Sequence, residues 1–322
     1  MIKILSASPF ASVQDMGRTG YRAQGVGVAG AMDGPALRAA NLLVGNSADA
    51  AGIETTSGAL KLRFATAALF ATTGAPAMVT LDGIALPNHW CQVAEAGQVL
   101  EILPSKTDMW SYLAISGGID LPETLGSRST DFKIGLGGAK LAAGAKLPLA
   151  PTDLARLRAV TALGGFGVAP RPIARDENGL PVVRVIPARE YDEFPPDSQQ
   201  AFWDQPWTIG REINRMGYRL SGPELKTLHP LSLPSYGILP GVVQVPSGGQ
   251  PIVQLAEANT CGGYPKMGVV IQTDLPALVQ TRTGGAVRMQ RATPEQALAA
   301  RAGLQGWLAG IESAANEVMA WA

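Results

Sequence analysis

The sequence predicts a mostly β fold with a few short helices and a helix at the C-terminus. One observation behind this is composition: Gly and Pro supply 38 and 24 of the 322 residues, about a fifth of the chain against a usual share of roughly 12%. A second is charge, because Asp, Glu, Lys and Arg make up 16%, where an average soluble domain has about 25%. Many turns and few long solvated helices produce that pair of values. The third is order: short apolar runs follow one another without the strand–Gly-loop–helix alternation of a doubly wound sheet. Hydrophobic residues at 46% place the chain among globular proteins, and its length allows one large core or two ordinary ones.

Taken in chain order, residues 1–150 read as an N-terminal β-rich domain. Asp33 is placed to cap a helix over 34–44, with Pro35 in its first turn, Leu37, Ala40 and Val44 at helical spacing, and Gly45 as the stop. Leu60, Leu62 and Phe64 alternate with Lys61 and Arg63, the period of a half-buried strand. Asp82-Gly83 between two apolar arms predicts a hairpin, since both turn positions need positive φ. QVLEILP and WSYLAISGG follow as strands. Residues 151–180, dense in Gly and Pro, read as a linker or long loop. Residues 181–292 form a second β-rich domain with the strand PVVRVIP, a short helix near Ser198–Trp203, the hairpin GVVQVPSGGQPIVQLA and a last strand VRMQ. A C-terminal helix over 293–322 begins with a Thr293/Gln296 capping box. Its Leu304, Leu308 and Ile311 make an apolar stripe, weakened by Gly303, Gly306 and Gly310, each by about 1 kcal/mol relative to Ala.

Several functions are excluded. Lys+Arg and Asp+Glu balance at 26 each without runs, so no nucleic-acid partner is expected. The opening MIKILSASPF is too short an apolar stretch for a signal peptide, and the segment Phe64–Thr80 is broken by Gly74 and Pro76, so no membrane association is expected. Cys91 and Cys261 make no disulfide framework, and a cytoplasmic location is the simple expectation. The two histidines, His89 and His229, both read as loop residues and supply neither a His-rich zinc site nor an evident triad. A metal held by carboxylates stays open.

Four segments hold more Gly and polar residues than turns require. Residues 12–33 bring Gln14, Asp15, Arg18 and Tyr21 among glycines, either a ligand loop in which Arg18 clamps a carboxylate or phosphate, or an irregular loop with an internal Asp–Arg pair. Residues 116–138 hold Ser127, Arg128, Ser129, Thr130 and Asp131 between glycines, suited to an anion or to a local capping network. Residues 213–222 offer Asn214 and Arg215, as ligand contacts or as a loop feeding a strand. Residues 242–268 carry Gln244, Gln250, Glu257, Asn259, Thr260, Tyr264 and Lys266, where a Gly pair beside an ammonium suits an anionic group. Cys261 has no neighbouring group to activate it as a nucleophile.

In this order, SVQDMGRTGYRAQGVGVAGAMDGPALRAANLLVGN, YLAISGGIDLPETLGSRSTDFKIGLGG, NRMGYRL and GILPGVVQVPSGGQPIVQLAEANTCGGYPKMG resemble the biotin-dependent carboxyltransferase family, which includes KipA-like and 5-oxoprolinase (PxpC-type) members. The resemblance runs from about residue 3 to about residue 300. It implies a fold of cyclophilin-like β-barrel modules. It also implies one subunit of an ATP-dependent complex opening 5-oxo-L-proline to L-glutamate, with a KipI-like (PxpB-type) and a LamB/YcsF-type (PxpA-type) partner. ATP, with Mg²⁺, would act at the level of the complex. The alternatives are a carboxyltransferase subunit of a urea or amide carboxylase, with biotin carried by a partner, and a KipA-like regulator. For such chemistry residue type makes Arg18, Arg128, Arg215 and Lys266 the expected electrostatic stabilisers, and Asp15, Asp131 and Glu257 candidates for proton transfer or Mg²⁺. Three positions depart from the family pattern: Cys261 and Glu257 stand where Thr and often Asp occur, and Tyr236 where His is common.

Overall fold

The computed structural model describes residues 1–138 and 140–320. The chain divides into two compact units, one of Met1–Arg18, Asp33–Arg171 and Gln305–Ala322, the other of Thr19–Met32 and Pro172–Leu304. The fold is mostly β, with five α-helices among the described residues: α1 Gly34–Leu43, α2 Leu154–Leu163, α3 Pro196–Asp204, α4 Leu275–Gln280 and α5 Pro294–Ala320. No helix among them is long and apolar enough to cross a membrane.

The first unit packs two six-stranded sheets face to face. One runs in the order Lys146–Leu147, Ile2–Ser6, Leu60–Phe64, Val99–Ile102, Val79–Leu81, Ile84–Leu86; the other Phe166–Gly167, Trp90–Ala94, Ala68–Gly74, Ser111–Ile115, Gly52–Thr55, Ser12–Gln14. Ile2, Leu62, Phe64 and Leu100 of the first meet Phe70, Leu113 and Ile115 of the second in one core. The second sheet's opposite face carries Leu69, Ala71, Cys91 and Ala114, which pack with Ala40 and Leu43 of α1 and Ile311 of α5. A strand buried on both faces reads as a continuous apolar run, which is why Ala68–Gly74 shows no alternation. Asp33 caps α1 by accepting from the Ala36 amide, as its position implied. The hairpin turn has Asp82 and Gly83 at φ 49° and 82°.

In the second unit seven strands close a barrel in the order Val182–Pro187, Lys266–Val270, Val242–Gln244, Ile252–Gln254, Gly217–Ser221, Pro206–Asn214, Ala286–Arg291. Closure is made by the parallel pairing of Val182–Pro187 with Ala286–Arg291. Val183, Val185, Trp207, Tyr218, Val243, Val253, Met267, Val287 and Met289 are buried. A separate ribbon pairs Tyr236–Gly237 with Cys261–Gly262. Residues 19–32 belong to this unit because the Ala29 amide donates to the Ala256 carbonyl and Arg215 donates to the Gly30 carbonyl.

The expected boundaries differ from these units in three places. The first 150 residues do not stay together, since 19–32 group with the barrel. The stretch 151–180 holds α2, capped by Asp153 and stopped by Gly164 at φ 72°, and the strand Phe166–Gly167. Arg156 of α2 ties it down, donating to the Ala315 carbonyl and Asn316 Oδ1 of α5. The C-terminal helix, opened by the Thr293–Gln296 capping box, is shared between the units, which divide it at Leu304/Gln305.

Candidate functional site

In the first unit, the strand Ser12–Gln14 leads directly to Asp15, whose carboxylate organises the segment 124–131. Asp15 Oδ1 accepts from Ser127 Oγ at 2.6 Å, Ser129 Oγ at 2.5 Å and the Gly17 amide at 2.8 Å. Its Oδ2 accepts from the Arg128 amide at 2.6 Å. Four donors converge on one buried carboxylate, a strongly bonded anion rather than an available base. Asp131 is likewise engaged in its own turn, Oδ1 accepting from the Lys133 and Ile134 amides. The Arg128 side chain folds back onto its own segment, reaching Glu123 at 2.6 Å, Asp120 at 3.4 Å and the Leu121 carbonyl at 2.7 Å. Thr130 lends its carbonyl to Gln14 Nε2.

Two buried atoms in this segment have no hydrogen-bond partner. Gln14, fully buried, places Nε2 on Ser12 Oγ and the Thr130 carbonyl and leaves Oε1 without a donor. Arg18, 1% exposed, places Nη2 on the Ser129 carbonyl and Nε on the Thr124 carbonyl at 3.5 Å, and leaves Nη1 without an acceptor. Glycine lets the chain pass close to the guanidinium: a Cβ on Gly137, at φ 68°, would lie 2.5 Å from Arg18 Nη2 and from the Ser129 carbonyl.

In the second unit Arg215 and Glu257 form a buried pair, Nε to Oε1 at 2.5 Å, with exposures of 5% and 3%. Removing one partner from such a pair leaves an uncompensated buried charge. Lys266, also buried, donates Nζ to the Gly262 carbonyl at 3.2 Å and the Tyr264 carbonyl at 3.0 Å, and lies 3.4 Å over the Tyr236 ring. Burial holds the ammonium below the usual lysine pKa, partly opposed by the charge of Glu190. Glu190 joins the group by accepting from Tyr236 Oη at 2.6 Å and from the Lys266 amide at 3.3 Å. Burial and Glu190 together push the Tyr236 hydroxyl well up. The Tyr236 ring thus supplies a face for the ammonium. Gln244 accepts from Gln254 Nε2 at 2.9 Å, and its own buried Nε2 has no partner.

The remaining expected residues are dispersed. Tyr21 is half-buried and its carbonyl closes a turn onto Gln24 and Val26. Asn214 caps the turn at Met216 and Gly217, and Gln250 bonds the backbone of Gly222 in both directions. Thr260 accepts through its carbonyl from Arg22 and Ile238, while Asn259 and Tyr264 are exposed. Cys261 is exposed, and burial pushes the Cys91 thiol up to about 12. Sequence reasoning missed Glu190, and also the buried chain in which Tyr112 Oη donates to Glu54 at 2.8 Å and accepts from the Asp33 amide at 2.7 Å. Among the described residues no three His, Cys, Asp or Glu side chains are placed to hold a metal ion.

A family model described as carboxyltransferase domain, subdomain A and B, matches residues 24–291. The chain is 42% identical over 304 residues to the C-type 5-oxoprolinase subunit of Escherichia coli (strain K12), covering 94% of each. It is 39% identical over 300 residues to the C-type 5-oxoprolinase subunit of Haemophilus influenzae, covering 92% of this chain and 93% of the relative. Among solved structures it is similar to the K. lactis urea amidolyase, with 26% identity and a TM-score of 0.84 over 97% of this chain. It spans 20% of that larger protein.

Proposed function

The chain belongs to the family of the carboxyltransferase domain, subdomains A and B, and from that premise we propose that it is the C-type subunit of a 5-oxoprolinase, a hydrolase complex that opens 5-oxo-L-proline to L-glutamate. The observation that carries this reading is end-to-end similarity: 42% identity over 94% of both chains, with a relative of that name. The K. lactis urea amidolyase favours the second reading, a carboxyltransferase subunit receiving its carboxyl group from biotin on a partner, at the lower identity of 26% and over 20% of that protein's length.

Opening the lactam needs an amide carbonyl made more electrophilic, attack by water, cleavage of the ring C–N bond and protonation of the leaving nitrogen. Coupling to ATP supplies the activation of the amide oxygen. The three acids expected for Mg²⁺ are each engaged elsewhere: Asp15 is saturated by four donors, Asp131 Oδ1 accepts two amides of its own turn, and Glu257 is paired with Arg215. On this proposal nucleotide and Mg²⁺ act at the level of the complex, with a KipI-like and a LamB/YcsF-type subunit as partners. The chain's own contribution is binding and orientation. Its acids and most of its cations hold the loops in shape, while Arg18 Nη1, Gln14 Oε1 and Gln244 Nε2 are polar atoms without protein partners. Such preorganised donors and acceptors act without reorganising when charge develops.

The test is reconstitution: the chain, mixed with both partner subunits, 5-oxoproline and ATP, should release glutamate only when all three proteins are present. Omitting this chain should abolish release. Glutamate release at an undiminished rate without it, or none from a mixture whose KipI-like subunit is independently active, overturns the proposal.

A further inference from the structure

We infer that the Arg18 guanidinium is a receptor for the carboxylate of a small ligand, and, resting on the proposed function, for the ring carboxylate of 5-oxoproline.

A guanidinium is a cation by its chemistry, and Arg18 is 1% exposed. Burying a charge is costly unless an opposite charge or full hydrogen bonding compensates it. Neither is present. Among the described residues no carboxylate lies within salt-bridge distance of Arg18, and the acid three residues upstream, Asp15, is committed to Ser127, Ser129, Gly17 and the Arg128 amide. The guanidinium is held by two neutral carbonyls, those of Ser129 and Thr124, and Nη1 has no acceptor.

Its surroundings fix it in that state. The Asp15 network locks the segment 124–131 that presents both carbonyls. Gly137 lies so close to Nη2 that any side chain there would displace the guanidinium. A cation that is rigidly placed, out of water and lacking an anion has the features of a binding subsite awaiting a carboxylate, which suits the planar fork of arginine. Arg128 makes the contrast within the same cluster, since its guanidinium already has Glu123 and Asp120. Gln14 Oε1, a second partnerless buried atom on the same strand-to-loop segment, agrees with a polar ligand being bound there.

The test uses the full chain in the reconstituted complex. KM for 5-oxoproline is compared with the inhibition constant of 2-pyrrolidinone, the same lactam ring without the carboxylate, in wild type, Arg18→Gln and Arg18→Lys. The expected result is a KM for 5-oxoproline raised about 30-fold or more by Arg18→Gln, with a smaller change in kcat, and a 2-pyrrolidinone constant within about twofold of wild type. Arg18→Lys, which keeps the charge, should recover part of the loss and shows that the variants fold. Equal losses for both ligands, or an unchanged KM, overturn the inference.

If wild type turns over no 5-oxoproline, the functional proposal fails on its own. Calorimetric titration of the full chain with 5-oxoproline and L-glutamate then decides the subsite. Binding abolished by Arg18→Gln sustains a carboxylate receptor, and its persistence, or its absence in wild type, refutes one.

Discussion

Replacing Asp15 with Asn separates a structural carboxylate from a reacting one. In the native chain Oδ1 accepts three donors and Oδ2 one. Asn keeps one carbonyl oxygen, which can retain the Ser127, Ser129 and Gly17 contacts as neutral bonds of roughly half the strength. Its amide NH₂ then faces the Arg128 N–H, so that bond is lost and two donors oppose each other. Hydrogen bonds to charged groups contribute about 1.5–3 kcal/mol each, and at the lower end of that range one lost plus three halved amounts to about 4 kcal/mol. For a unit of this size that is a fall in Tm of about 8–16 °C. Thermal unfolding of the purified chain measures the fall, and hydrogen exchange shows whether amides in 124–131 lose protection first. A loss below about 1 kcal/mol together with abolished turnover in the complex would mean that Asp15 reacts rather than supports.

Four further outcomes are expected. Gly137→Ala, at φ 68° with its Cβ 2.5 Å from Arg18 Nη2, should weaken 5-oxoproline binding and destabilise the chain, whereas Gly135→Ala, at φ 65° with nothing within 4 Å, should cost only the roughly 1–2 kcal/mol of a left-handed backbone; equal effects on denaturant midpoints would contradict this. Lys266, its pKa lowered by burial, disfavours folding while charged, so stability should rise with pH between the lowered folded value and the unfolded value of 10.5; Lys266→Met should remove that rise in midpoints measured across alkaline buffers. A thiol reagent should label one site quickly in the folded chain and none in Cys261→Ser, because Cys91 is buried with a pKa near 12. Arg128→Ala should change kcat/KM for 5-oxoproline less than about threefold, since its partners Glu123 and Asp120 are half-exposed surface acids; a hundredfold loss in the steady-state assay would restore it as a ligand contact.

Much of the fold was legible where a local rule decides the local structure. Asp33, Pro35 and Gly45 bound α1, and Asp82-Gly83 makes its turn, because caps and positive φ depend on the residues themselves. What was illegible depends on distant partners. Nothing near Val182 announces a parallel pairing with Arg288, over 100 residues later. Residues 19–32 leave the first unit through backbone bonds to Ala256 and an arginine at 215, and a carbonyl at Gly30 carries no sequence signal for either. The helix α2 was hidden because only Arg156, Ala159 and Val160 of its ten residues are buried, too few for an apolar stripe amid Gly and Pro.

The same limit applies to the candidate residues, and it works against reading charge from residue type. Arg18, Arg128, Arg215 and Lys266 are alike in sequence, four cations in Gly-framed loops. In the structure Arg128 is paired with surface acids and Arg215 with buried Glu257, while Lys266 bonds two carbonyls, lies over a ring and feels the charge of Glu190. Only Arg18 combines burial with a nitrogen that has no acceptor. Its two acceptors are main-chain oxygens, at Thr124 and Ser129, and a backbone carbonyl exists at every position, so the sequence gives no sign of which are reached. A buried cation without an anion is unfavourable for the chain alone and favourable once a carboxylate arrives. The affinity for that carboxylate is therefore set by the charge left uncompensated on folding, so an acid engineered beside Nη1 should stabilise the free chain while weakening the ligand.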